Sequence, residues 1–112
     1  TTRRFAELSY ELLEQKCEND LATTKLGSEF RTPGHIPVCL EQKGGLDTRE
    51  GHTELAVALA RLAKEPPVVI GAEMLQPNGN SALSVEDAKK WANERGILFL
   101  TGDEIKREIK GD

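Results

Sequence analysis

The chain has 112 residues, with 15 Lys and Arg against 19 Asp and Glu for a formal net charge of −4; the length suits one domain, and the acidic balance excludes a dedicated nucleic-acid binder, which would carry a basic stripe. A hydrophobic fraction of 38% is low for an independent core, leaving a thin-cored domain or a portion of a larger one. Two cysteines, Cys17 and Cys39, fall short of a disulfide framework, and no apolar run approaches the ~18 residues of a membrane span, so a reducing cytoplasmic setting is expected, with neither membrane insertion nor export.

Residues 3–16 read as an amphipathic helix, with Phe5, Leu8, Leu12 and Leu13 near the helical period. Residues 17–35 are polar and punctuated by Gly27, Pro33 and Gly34, as a long loop would be. Ile36–Leu40 is a short apolar run in which Pro37 suits a strand start or edge, and Gly44-Gly45 turns the chain. A second helix is predicted over 53–64 from the stripe Leu55, Leu59, Leu62, ended by Pro66-Pro67. Val68-Val69-Ile70 has the continuous apolar character of a strand buried on both faces. Asn78-Gly79 marks a turn. Ser84 with Asp87 caps a helix running through Trp91 to Arg95 and stopping at Gly96. Ile97–Leu100 reads as another buried strand, and Thr101 with Glu104 forms a capping box for a last helix carrying Ile105 and Ile109. Strands alternating with helices over 36–110 predict an α/β fold, a layered mixed sheet with flanking helices.

Three clusters carry residues suited to chemistry. Arg49-Glu50-Gly51-His52-Thr53-Glu54 stands at a helix entry. Backbone amides and the helix dipole there favour an anion such as phosphate, Arg49 adds a bidentate donor, and His52 can ligate a metal or move a proton. Arg31-Thr32-Pro33-Gly34-His35 sets a histidine on a defined turn. Glu73 follows the strand 68–70, where open α/β sheets bind ligands, and an apolar setting would suit it to general acid–base work. Each cluster has a plain alternative: a solvated helix cap, an exposed turn histidine, and an acidic residue opening a loop. Cys17, His35, Cys39 and His52 lack the tight pairing of a structural zinc site. Nucleotide-binding glycine loops and nucleophile elbows are absent.

In order, Phe30-Arg31-Thr32-Pro33-Gly34-His35-Ile36, the segment 49–54, Leu59-Ala60-Arg61-Leu62-Ala63 and Ile70-Gly71-Ala72-Glu73-Met74 resemble 3,4-dihydroxy-2-butanone 4-phosphate synthase. Ala82-Leu83-Ser84, Glu86-Asp87-Ala88 and Ile97-Leu98-Phe99-Leu100 extend the likeness, in an archaeal version, from residue 30 to about 105.

The resemblance implies a lyase of riboflavin biosynthesis. It would turn D-ribulose 5-phosphate into 3,4-dihydroxy-2-butanone 4-phosphate and formate with Mg2+ or Mn2+, as a homodimer with shared sites. By position it implies His35 and Glu73 as catalytic, Arg49, Glu50, Gly51, His52, Thr53 and Glu73 as substrate-binding, and His52 as a metal ligand. It also implies that 1–112 is a single domain, the C-terminal portion of the synthase: a divergent helical and loop lead-in over 1–29 and a family-like α/β core over 30–110, a partial version of the family's fold. The family's N-terminal half, with its acidic metal-binding loop, becomes a possible partner. Glu18-Asn19-Asp20-Leu21 resembles that loop only superficially; Asp20-Leu21-Ala22-Thr23-Thr24 aligns better with a later Asp-Arg-Ala-Thr-Thr segment, with Leu21 in the arginine's place. A non-catalytic domain of the same descent, binding sugar phosphate or pairing with a partner chain, is the alternative.

Overall fold

The structure, a computed structural model, describes residues 1–14 and 25–111. Cys17, the segment Glu18–Leu21 and the segment Asp20–Thr24 lie outside the described residues. The chain divides into two compact units, Thr1–Val69 and Ile70–Asp112.

In the first unit the predicted amphipathic helix is α1, Thr2–Glu14, and it buries Ala6 and Leu8. A short helix, α2 (Lys25–Glu29), forms within the stretch read as loop. A helix of five residues is too short to hold itself, and tertiary contacts supply what local propensity lacks. Arg4 donates from Nε and Nη2 to the two carboxylate oxygens of Glu29, at 2.7 and 2.5 Å, Phe5 meets Phe30 edge to face at 5.2 Å, and Lys25 pairs with Glu11 at 3.5 Å. The exposed ion pairs mainly direct α2 onto α1, and the half-buried Phe5–Phe30 contact does more to hold it there.

Residues 31–40 form an exposed, irregular segment that contains a cis Thr32-Pro33 bond. The Gly44-Gly45 turn is as expected, and both glycines have positive φ, 93° and 57°. A Cβ on Gly44 would run into the Thr48 hydroxyl, so that position requires glycine on two counts. A 3₁₀ turn, Gly45–Asp47, follows and packs against the next helix, α3 (His52–Leu62). The apolar stripe predicted for α3 is only partly covered: Leu59 is exposed, whereas Ala60 and, unexpectedly, Glu54 are buried. Arg61 forms a two-pronged ion pair with Glu41 and so ties α3 to the preceding segment.

In the second unit, Leu75 and Ala82 form an antiparallel bridge around the Asn78-Gly79 turn, supported by Gln76 N–H to Ser81 O at 2.8 Å and Leu83 N–H to Met74 O at 2.8 Å. Helices α4 (Val85–Glu94) and α5 (Gly102–Gly111) stand where the caps predict, burying Ala92 and Ile105. Arg95 folds back over the Trp91 ring at 4.5 Å, and its guanidinium donates to the Trp91 carbonyl at 3.3 Å.

The layered sheet is not formed among the described residues. Segments 36–40, 68–70 and 97–100, expected as strands, are without ladders. Their apolar side chains stand in solvent: Leu40 is 87% exposed, Leu98 79% and Ile70 63%. A strand is completed by its neighbour, and a short apolar run without a partner has neither backbone pairing nor a covered face. No helix among the described residues is long and apolar enough to cross a membrane.

Candidate functional site

The motif 49–54 is shaped by two turns. Backbone hydrogen bonds from Thr48 and Arg49 N–H to the Gly45 carbonyl, at 3.1 and 3.0 Å, close the 3₁₀ turn and deliver Arg49 to the start of α3. Gly51 is the N-cap, in extended conformation with φ −86° and ψ 169°, and its carbonyl accepts the first helical bond from Leu55 N–H at 3.0 Å. Glycine has no side chain to cap with, so the N-cap itself offers the leading amides of α3 no side-chain acceptor.

Gly51 also permits a close approach. A Cβ there would lie 3.0 Å from Glu54 Oε2, 3.3 Å from Arg49 Nε and 3.4 Å from Arg49 Cζ. The guanidinium and carboxylate therefore sit directly against the turn, with Arg49 Nη1 3.8 Å from Glu54 Oε1. The Glu54 side chain is fully buried and Arg49 is 63% exposed. Neither oxygen of Glu54 has a hydrogen-bond donor among the described residues. Burying a carboxylate costs several kcal/mol unless donors replace its water, and one guanidinium beyond hydrogen-bond length replaces little of it.

The other candidate residues are distributed as follows. Glu50, His52 and Thr53 adjoin Arg49 and Gly51 in sequence, Glu50 and His52 being exposed and Thr53 half-buried. His35 lies in the exposed segment 31–40, and no hydrogen bond or ion pair joins it to the α3 cluster among the described residues. Glu73 belongs to the second unit, in the exposed segment before the Leu75–Ala82 bridge. The apolar setting expected around its carboxyl is therefore not there. The structure thus gathers Arg49, Gly51 and Glu54. Sequence reasoning quoted Glu54 within the motif but assigned it no role. The signal available was its place three residues after a glycine cap, where a glutamate has no hydroxyl to box with.

His52, the metal ligand that the resemblance implies, is exposed at the start of α3. Among the described residues no three His, Cys, Asp or Glu side chains are grouped to hold an ion. Mg2+ demands near-octahedral, mainly oxygen coordination, which one histidine does not supply.

A family model for 3,4-dihydroxy-2-butanone 4-phosphate synthase matches residues 11–108. The chain belongs to this family. The synthase of Methanosarcina mazei is 41% identical over 105 residues, which is 94% of this chain and 40% of that relative. The synthase of Archaeoglobus fulgidus is 37% identical over 105 residues, 94% of this chain and 42% of the relative. A riboflavin biosynthesis protein, RibBA of Bacillus cytotoxicus, is 37% identical over 79 residues, 70% of this chain and 20% of the relative. The chain spans about two-fifths of the length of the synthases it matches along most of its own. For this dihydroxybutanone phosphate synthase family member, the cluster at the start of α3 lies wholly within the matched residues.

Proposed function

We propose that the chain is the C-terminal portion of a 3,4-dihydroxy-2-butanone 4-phosphate synthase and contributes the phosphate-binding end of its site. The observation that carries this is Arg49 at the start of α3, beside leading amides to which the N-cap, Gly51, offers no side-chain acceptor. A guanidinium and helix N-terminal amides provide the donors and positive potential that a sugar phosphate requires. Gly51, His52, Thr53 and Glu50 line the same approach. His35 and Glu73 are proposed as the acid–base pair for enolising D-ribulose 5-phosphate on the way to the butanone phosphate and formate, since proton transfer at a carbon beside a carbonyl needs both partners. The family match and the riboflavin relative support this reading of the reaction.

Portion status is supported by the exposed apolar runs at 36–40 and 97–100, which have the composition of strands and no ladder. It accounts for the thin composition too. The remainder of the fold is the proposed partner, together with a second copy in a homodimer and Mg2+ or Mn2+ whose further ligands come from outside the described residues. The setting is cytoplasmic.

The test is formate release from D-ribulose 5-phosphate with Mg2+, with and without the N-terminal half of a family member added. Formate formed only on addition of that half supports the portion reading, and none in either case removes catalysis from this chain. A second reading is binding without turnover, which the anion-binding residues at the start of α3 would support by themselves. It predicts that D-ribulose 5-phosphate raises the Tm although no formate appears.

A further inference from the structure

The fully buried, donor-less carboxylate of Glu54 is not explained by the phosphate site itself, because a buried anion beneath an anion site opposes binding. Stability does not explain it either: an apolar or amide side chain of similar volume would remove an uncompensated charge. Helix capping fails as an account, since neither oxygen accepts a hydrogen bond from an amide of α3 or from any other described group. What remains is the charge nearest to it. Arg49 Nη1 stands at 3.8 Å, and both side chains press on the same glycine, within 3.0 to 3.4 Å of where its Cβ would be.

From this juxtaposition we infer that Glu54 is a positioning residue for Arg49. Its charge draws one edge of the guanidinium down onto Gly51, so that the remaining N–H donors face outward beside the leading amides of α3, preset for a phosphate oxyanion. An exposed arginine otherwise distributes itself over many rotamers and loses that freedom on binding. A partner that is itself buried holds the guanidinium without competing for the ligand in solvent. The bare Cα of Gly51 is what lets the pair reach the turn. The inference rests on the reading that Arg49 and α3 take the phosphate.

Calorimetric binding of inorganic phosphate and of D-ribulose 5-phosphate to the 112-residue chain tests it, with Tm measured alongside. Glu54→Gln is expected to weaken both ligands about tenfold while leaving Tm unchanged or raised. Glu54→Met, which keeps the volume and drops the polarity, should do the same. In an Arg49→Ala background Glu54→Gln should cost nothing further, because the carboxylate acts through the guanidinium. Unchanged or tighter binding in Glu54→Gln, a fully additive loss in the double variant, or a lowered Tm with affinity retained overturns the inference. Failure of the two readings is distinguishable. If the wild-type chain binds neither ligand, the phosphate reading falls and takes this one with it. If Arg49→Ala loses phosphate and both Glu54 variants keep it, only the positioning role falls.

Discussion

Glu54 and Glu104 occupy the same position, third in their helices, and meet opposite fates. Glu104 turns back to its cap: one carboxylate oxygen accepts from Thr101 N–H at 2.7 Å and from the Thr101 hydroxyl at 2.9 Å, while that hydroxyl accepts from Glu104 N–H at 3.3 Å. Glu54 is buried, without a donor among the described residues, against Arg49. The difference lies one turn earlier, at the cap itself. Threonine supplies a hydroxyl that completes a reciprocal box, whereas Gly51 supplies only space. The start of α5 is thus satisfied by its own side chains, as is that of α4, where Ser84 Oγ accepts from Asp87 N–H at 3.1 Å. The start of α3 has no such box from its N-cap. Local rules obeyed at two helix starts and broken at a third point to the third as the functional one.

The comparison breaks most sharply at Arg49. Arg49→Ala is expected to weaken D-ribulose 5-phosphate or phosphate binding about 10- to 100-fold, the range for hydrogen bonds to a charged group. The same change leaves the buried Glu54 carboxylate without its nearest counter-charge, so a lowered Tm is expected beside the loss of affinity. Thr101→Ala should touch stability alone: a loss of about 1 kcal/mol, measured by denaturant titration, and no change in ligand affinity. If Thr101→Ala weakened ligand binding, or Arg49→Ala spared it, the division between a functional helix start and a structural one would be wrong.

What the sequence revealed divides along similar lines. Local interactions were legible. The Ser84 and Thr101 caps, the Gly96 stop and the Asn78-Gly79 turn depend on residues within a few positions of one another, and the structure has all of them. Helix α2 was missed because Arg4 and Phe5, more than twenty residues away, hold it in place. The sheet was predicted from apolar runs, but a run states only that a face wants cover and not what covers it. At the site, the anion-binding character of 49–54 was readable from residue types. The burial of Glu54 was not, since glutamate at a helix start is ordinarily a solvated, dipole-matching residue.

Helices α3 and α4 differ at their C-termini as well. Both end in the same double hydrogen-bond pattern. In α4, Gly96 and Ile97 N–H donate to Asn93 and Ala92 carbonyls at 3.2 and 2.9 Å; in α3, Lys64 and Glu65 N–H donate to Arg61 and Ala60 carbonyls, both at 3.0 Å. The left-handed position is filled by Gly96 at φ 62° in one and by Lys64 at φ 56° in the other. A side chain there costs about 1–2 kcal/mol, and glycine returns part of that to backbone entropy. Lys64→Gly should therefore stabilise the chain by about 0.5–1 kcal/mol in denaturant titration. Destabilisation instead would mean that the lysine stem packs in a way that outweighs its backbone strain.

The smallest expected effect concerns protons at the start of α5. The Thr101 backbone N–H, and after it the Thr101 hydroxyl, hold the Glu104 carboxyl below its usual range. A carboxylate that is more acidic folded than unfolded adds stability above its unfolded pKa, and loses it as pH falls through the lower folded value. Acid should therefore loosen α5, with the loss beginning near the ordinary carboxylate range and completing below it. Asp103, held low by its hydrogen bond from the Lys106 ammonium, titrates over the same span, so the wild-type curve alone does not isolate Glu104. Comparison with Glu104→Gln does. The amide cannot titrate, so the variant should begin less stable at neutral pH and fall less steeply on acidification, the two curves converging at low pH. Parallel curves would mean that the carboxylate is no better solvated by Thr101 than by water, leaving the threonine hydroxyl as the whole cap.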